Sequence, residues 1–157
     1  MITVQPVTRS NWVAVARLDL LPEQESLVAP NVWSLAAARF DETYQPRAIL
    51  HDGVPVGFSM HCIDDEDPTT GIHWLFRYML GAGHQGKGYG KAALPLILDE
   101  IWAAGASSIR TMHKPSNEVA ARLYAGAGFR KIGMLDDGDV ELELLPASAG
   151  IPSEFQA

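Results

Sequence analysis

Between His84 and Ala93 the chain reads HQGKGYGKAA, with Gly86, Gly88 and Gly90 alternating with Lys87 and Tyr89. Glycines let a backbone come close to an anion and aim its N–H groups at it. An apolar, strand-like run from Trp74 to Leu80 precedes this stretch, and a helical apolar pattern at Leu94, Leu96, Ile97 and Ile101 follows it. Strand, glycine turn and helix together favour a phosphate, because a starting helix adds unpaired N–H groups and the positive end of its dipole. Three glycines would also suit a tight turn with no ligand, so the spacing has to decide.

No segment fits the G-x-x-x-x-G-K-[ST] nucleotide loop. The dinucleotide pattern G-x-G-x-x-G needs two residues between its last glycines, whereas Gly86, Gly88 and Gly90 are evenly spaced and fall past mid-chain. Gln85-Gly86-Lys87-Gly88-Tyr89-Gly90 instead reads Q-x-x-G-x-G, which resembles the pyrophosphate loop of the GNAT acyl-CoA N-acyltransferases. Asn117-x-x-Ala120-x-x-Leu123-Tyr124-x-x-x-Gly128-Phe129 resembles the second signature of that family, the helix and turn after its fifth strand. The two motifs stand in the family's order and cover the chain from about Trp74 to Phe129. Within them, the run from Trp74 to Lys91, W-L-x-R…Q-G-K-G-x-G-K, is similar to the bacterial spermine/spermidine acetyltransferase branch.

The resemblance implies acetyl-CoA as donor co-substrate, a small polyamine-like amine as acceptor, and no metal. It places the pantetheine arm along the backbone of Tyr78, Met79 and Leu80, where the family's central strand splays from its neighbour. The pyrophosphate then meets the N–H groups of Gln85, Gly86, Lys87, Gly88, Tyr89, Gly90 and Lys91, with Lys87 and Lys91 able to add charge. Asn117 and Ala120 would touch the lower part of the cofactor. Direct attack of an amine on a thioester makes an oxyanion and then expels a thiolate. Tyr124 is the expected acid, since a phenol of pKa about 10 can stabilise a leaving thiolate whose thiol has pKa about 8.5. A central-strand N–H near Met79 would hold the oxyanion.

The base is not marked. Phe76 stands where many relatives carry a carboxylate, and His73 and His113 are the substitutes. Glu23, Glu25, Trp33 and Trp74 are the expected walls of the acceptor pocket, although exposed loop charges and ordinary packing would account for them equally. Two alternatives stay open: an amino antibiotic or peptide amine as acceptor, and an acyl-CoA-binding module without catalysis. Dimers are common in the family, so a homodimer is compatible.

The elements that position these residues follow from pattern. Strands are expected at Ile2–Val7, Arg47–His51, Val54–Ile63, Ile72–Leu80, Ser107–His113, Phe129–Met134 and Val140–Leu145. Asp52-Gly53 reads as a two-residue hairpin turn, and Gly57 as a bulge or a close approach. A helix capped by Ser10 should run to about Leu20, with Trp12, Val15, Ala16 and Leu18 on one face. A second, about Asn31–Asp41, is apolar at Val32, Leu35, Ala36 and Phe40. A third follows the glycine loop to about Ala104, stops at Gly105, and should kink or lose a hydrogen bond at Pro95. A fourth opens at Asn117 and ends near Ala127. With the resemblance, the fold expected is α+β: a mixed, mostly antiparallel sheet of about seven strands, flanked by about four helices, with a splayed central strand.

The 157 residues suit one domain, expected over 1–146, followed by a mobile tail at 147–157. A net charge of −7 argues against general nucleic-acid binding and is compatible with a cationic substrate. The apolar run Ala92–Leu98 is too short to span a bilayer, and no signal-peptide pattern opens the chain. The single cysteine, Cys62, rules out an internal disulfide and fits a reducing cytoplasm. The loop Asp64–Asp67 reads as a solvated hairpin loop or as an attractor for a cation.

Overall fold

The computed structural model describes residues 1–147, so all but the first residue of the expected tail lies outside the described residues. Seven strands form one sheet: β1 (Ile2–Pro6), β2 (Gln45–His51), β3 (Val54–Ile63), β4 (Ile72–Leu80), β5 (Ser108–His113), β6 (Arg130–Met134) and β7 (Val140–Leu144). Their spatial order is β1-β2-β3-β4-β5-β7-β6, and only β4 and β5 run parallel. The helices are α1 (Trp12–Ala16), α2 (Asn31–Phe40), α3 (Tyr89–Ala103) and α4 (Glu118–Gly126). This is the mixed, mostly antiparallel sheet with four helices that the motifs implied.

Alternation along the strands sends side chains into two cores. Ile49, Val56, Leu75 and Ile109 meet Leu94, Ile97 and Ile101 of α3 on one face. Ala48, Phe58, Met60 and Met79 meet Val15 of α1 and Leu35 and Ala38 of α2 on the other. The hairpin between β2 and β3 turns on Asp52 (φ 48°) and Gly53 (φ 82°), the left-handed pair that a two-residue turn demands. Gly57 is a close approach: a β-carbon there would stand 2.6 Å from the Met79 carbonyl oxygen.

Two helices differ from expectation. The first has five residues, not eleven or so, and starts after Asn11 rather than Ser10. Asn11 binds back to the end of β1, donating to the Pro6 carbonyl at 3.0 Å and accepting from the Thr8 N–H at 2.7 Å. The helix stops early because the Asp19 carbonyl is taken by the N–H of Ala82 at 2.7 Å, which draws the chain across the sheet. Trp12 is consequently half exposed, and only Val15 of the expected face is fully buried.

α2 keeps its range but turns a different side inward. Asn31 and Ser34 are buried, whereas Phe40 is 89% exposed and Trp33 71%. Polar partners decide the rotation. The Asn31 amide donates to the Val15 carbonyl at 3.0 Å, and the Ser34 hydroxyl accepts from Arg77 Nε at 3.2 Å. α3 continues through Pro95, which faces solvent, so water can take the Lys91 carbonyl that the missing N–H leaves free.

The central strand positions the site. β4 pairs with β5 only from Ile72↔Ser108 to Leu75↔Thr111, and beyond Leu75 the two strands part. A bulge opposite the Met60/His61 step leaves Phe76 outside the β3 register. From Phe76 to Leu80, therefore, one edge of β4 has no strand partner among the described residues.

Candidate active site

The glycine loop stands at the end of this splay. Gly86 (φ 73°) and Gly88 (φ 82°) are in the left-handed region, and Gly88 precedes the first residue of α3. A β-carbon at either would meet nothing within 4 Å, so backbone conformation rather than space requires glycine there. Among the described residues, no backbone carbonyl accepts from any N–H between Gln85 and Lys91; the first bond of the helix runs from Ala92 to the Gly88 carbonyl at 3.1 Å. These donors and the helix terminus form an anion cradle.

A cavity of about 400 Å³ runs from this loop along the open edge of β4. Of the residues the motifs singled out, Tyr78, Met79, Leu80, Gln85, Gly86, Gly88, Tyr89, Gly90, Lys91, Asn117, Ala120 and Tyr124 line it, whereas Lys87 is exposed and does not. Leu123 of the second motif also lines it, and Leu20, Leu27, Val28 and Val119 complete an apolar wall that sequence motifs did not mark. The Asn117 side chain caps α4, its oxygen accepting from the Ala120 N–H at 3.1 Å. The Tyr78 hydroxyl donates to the Gly90 carbonyl and ties β4 to the first turn of α3.

Tyr124 is 5% exposed and lines both this cavity and the next. Its ring meets Phe129 edge-on at 5.4 Å and lies 6.5 Å from that of Tyr78. Burial pushes its phenol up to about 12, with the Thr111 hydroxyl pulling the other way. The Thr111 hydroxyl itself donates to the Leu75 carbonyl at 2.7 Å, at the last paired step of β4 and β5. Tyr124 is thus a protonated phenol at neutral pH, held beside the point where the strands part.

The second cavity, about 280 Å³, is more polar and opens on the other side of Tyr124. Leu75, Phe76, Arg77 and Tyr78 of β4 and Thr111 to Lys114 border it, together with Asp137 and Asp139 from the β6–β7 turn. Asp139 pairs with Lys114 at 3.0 Å, and Asp137 is exposed at the rim. His113 Nδ1 contacts the Lys114 carbonyl at 2.8 Å; a carbonyl only accepts, so Nδ1 is the donor of that bond, and Nε2 is the nitrogen that can take up a proton when the ring is neutral. Phe76 packs on Tyr44 with ring centroids 4.9 Å apart, and the Arg77 guanidinium sits over Phe76 at 5.3 Å.

Glu23, Glu25, Trp33 and Trp74 line neither cavity. The two glutamates point to solvent from their loop, while neighbouring Gln24, Leu27 and Val28 face inward. Trp33 is on the outer side of α2, and Trp74 Nε1 donates to Asp64 at 3.3 Å. His73 is buried away from both cavities, and burial lowers its pKa. The acidic loop is also remote, and it is occupied internally: Asp64 accepts from the Glu66 N–H at 3.0 Å and Asp67 from the Thr69 N–H at 3.1 Å. Cys62 is half-buried, and burial and nearby aspartates push its thiol up to about 12, which keeps it protonated and unreactive. No group of three metal-ligating side chains occurs among the described residues.

A splayed parallel pair, an anion cradle and a buried tyrosine between two cavities define an acyl-CoA transferase class of site. Residues 12–129 match the acetyltransferase (GNAT) family, and the chain belongs to it; the protein is an N-acetyltransferase. It is 30% identical over 139 residues to the spermine/spermidine N(1)-acetyltransferase of Bacillus subtilis, covering 86% of this chain and 91% of the relative. Its fold is similar to that of an aminoglycoside acetyltransferase solved with coenzyme A and kanamycin, at a TM-score of 0.77 and 19% identity, over 92% of this chain and 95% of the other. An acetyltransferase from Thermus thermophilus superposes with a TM-score of 0.73 at 19% identity, over 92% of this chain and 97% of the other.

Proposed function

We propose that the protein moves an acetyl group from acetyl-CoA to a primary amine of a small, polyamine-like acceptor by direct attack. One observation carries the reading: the open edge of β4 joins an anion cradle at one end to a carboxylate-bearing cavity at the other, and Tyr124 borders both cavities. The pyrophosphate would accept from the N–H groups of Gln85 to Lys91, and the pantetheine amides would pair with the unpartnered edge from Phe76 to Leu80. Asn117 and Ala120 would flank the thiol end of the arm.

The amine nitrogen forms a bond to the thioester carbonyl carbon, and the oxygen takes the charge against a β4 N–H near Met79. The C–S bond then breaks and the thiolate leaves against the Tyr124 hydroxyl. A lysine-like amine is free of its proton in roughly one molecule in a thousand near neutral pH, so a base is needed. We assign that work to His113 Nε2, directly or through water, since its Nδ1 proton is held by the Lys114 carbonyl. The attacking nitrogen's proton passes to His113, and the thiolate, hydrogen-bonded by Tyr124 as it leaves, takes its proton from solvent.

A polyamine acceptor is supported by the identity to the Bacillus subtilis enzyme and by the rim carboxylate of Asp137, which can take a second ammonium beside the Lys114–Asp139 pair. Residues 1–146 would serve as one catalytic domain, and the lone Cys62 suits a reducing, cytoplasmic compartment. Among the described residues no helix is long and apolar enough to cross a membrane.

The test is thiol release from acetyl-CoA over a panel of spermine, spermidine, putrescine, lysine peptides and aminoglycosides, with products identified by mass spectrometry. Monoacetylated polyamine is the expected product. Turnover on aminoglycosides or peptides alone would overturn the acceptor. Coenzyme A binding without turnover on any amine would favour a non-catalytic acyl-CoA-binding module.

A further inference from the structure

Residues 20–29 cross from one cavity to the other. Gln24 faces the first cavity, Ser26 and Ala29 the second, and Leu27 and Val28 line both. Among the described residues, one hydrogen-bonded link joins this segment to the rest of the protein, and it is made by Gln24. Its Nε2 donates to Gln85 Oε1 at 3.0 Å, and Gln85 Nε2 donates back to Gln24 Oε1 at 2.8 Å. The pairing is fixed in one sense. The second proton of Gln85 Nε2 goes to the Leu80 carbonyl at 3.0 Å, so a flipped Gln85 amide would set two acceptors against each other. Gln85 is the first residue of the anion cradle, and its own N–H has no backbone partner.

We propose that Gln24 is a positioning residue whose carboxamide clasp on Gln85 carries occupancy of the cofactor loop to the wall of the acceptor cavity, so that acetyl-CoA and the amine bind cooperatively. A phosphate oxygen accepting from the Gln85 N–H holds that residue still. Gln85 then holds Gln24, and Gln24 holds the segment that carries Leu27 and Val28. A wall ordered by the cofactor no longer has to be ordered by the amine, which is positive coupling without any contact between the two ligands. Linkage makes the effect mutual: the amine must tighten the cofactor by the same factor.

The inference rests on reading the first cavity as the acetyl-CoA site, and amide hydrogen exchange with coenzyme A alone separates the two. In wild type, coenzyme A should slow exchange at 85–91 and also at 20–29. In Gln24→Leu, and in Gln24→Asn, whose amide is one methylene too short to reach, the slowing at 85–91 should persist and that at 20–29 should vanish. Slowing at 85–91 but not at 20–29 in wild type would overturn the clasp and spare the cofactor reading. No slowing at 85–91 would overturn the cofactor reading and the clasp with it.

Kinetics give a second readout. Gln24→Leu should raise the amine KM at saturating acetyl-CoA about fivefold or more, and the acetyl-CoA KM at saturating amine by the same factor, while the Kd of coenzyme A for the amine-free enzyme does not weaken. Gln85→Leu should raise the amine KM similarly, with no further rise in the double variant. A raised amine KM with an unchanged acetyl-CoA KM, a coenzyme A Kd weakened already without amine, or additive effects in the double variant would overturn the proposal.

Discussion

Replacing Tyr124 by phenylalanine removes one oxygen from a side chain that is 5% exposed and leaves its ring packed on Phe129. The Thr111 hydroxyl keeps its bond to the Leu75 carbonyl at 2.7 Å, so the strands still meet and part at the same step. Folding should therefore lose only about one neutral hydrogen bond, ~0.5–1.5 kcal/mol. Catalysis should lose more, because the hydroxyl faces a charge that develops as the thiolate leaves. A phenol at about 12 opposite a thiol near 8.5 does not give up its proton outright: the gap of about 3.5 pKa units makes full transfer uphill by about 5 kcal/mol. It acts instead as a hydrogen-bond donor to an anion, an interaction of about 1.5–3 kcal/mol. At 1.36 kcal/mol per tenfold, kcat should fall about 10- to 150-fold. The bond exists only as sulfur gains charge, so both KM values should stay near wild type. The assay is thiol release at saturating acetyl-CoA and amine, with a thermal melt to show that the variant is folded. A kcat within twofold of wild type, or a loss appearing only in KM, would refute the assigned role.

Three further outcomes follow from particular contacts. Burial lowers the pKa of His61 to about 4, with Arg47 and His73 helping and Glu100 opposing. The unfolded chain thus takes up protons first as pH falls below about 6.5. This contribution is intact above that value and is lost as pH drops towards 4, by about 2 kcal/mol at pH 5. His61→Leu should make the pH 7-to-5 decline in denaturant midpoint shallower, and an unchanged decline would sink the assignment. In Gly57→Ala the new methyl would stand 2.6 Å from the Met79 carbonyl oxygen, forcing β3 and β4 apart beside the cofactor edge. Urea unfolding should show a loss of about 1–3 kcal/mol, accompanied by a raised acetyl-CoA KM; a stable variant with unchanged KM would contradict the close approach. Asp137→Asn removes a rim charge worth about 1 kcal/mol near water, so the spermidine KM should rise about fivefold at low salt and less at high salt, while a monoamine's KM stays put.

The glycine loop was legible because only glycine readily takes the φ values of 73° and 82° found at Gly86 and Gly88, which makes the spacing itself structural information. Strands β3 and β4 were legible to the residue, since alternation and the Asp52-Gly53 turn fix both register and ends. The facing of α2 was not. Its apolar pattern favours Val32 and Phe40, and the choice was made by Val15, Met79 and Arg77, distant residues that bond Asn31 and Ser34. The second cavity was hidden for a topological reason. β7 inserts between β5 and β6, which brings Asp137 and Asp139 beside His113 and Lys114 from more than twenty residues away. The one available signal was the cluster Asp136-Asp137-Gly138-Asp139, which reads equally as a plain turn. Glu23 and Glu25 carried charge in the right loop, but only the three-dimensional path of that loop shows that Gln24, between them, faces in.

The central claim is that the cofactor occupies the gap between β4 and β5 with the amine across Tyr124 from it. A crystal structure with coenzyme A and spermidine tests it most directly. The account predicts the pyrophosphate within hydrogen-bonding distance of the N–H groups between Gln85 and Lys91, the pantetheine paired along Phe76 to Leu80, the sulfur against the Tyr124 hydroxyl, and an amine between His113 and Asp137. Coenzyme A bound away from that edge, or its sulfur out of reach of Tyr124, would contradict it.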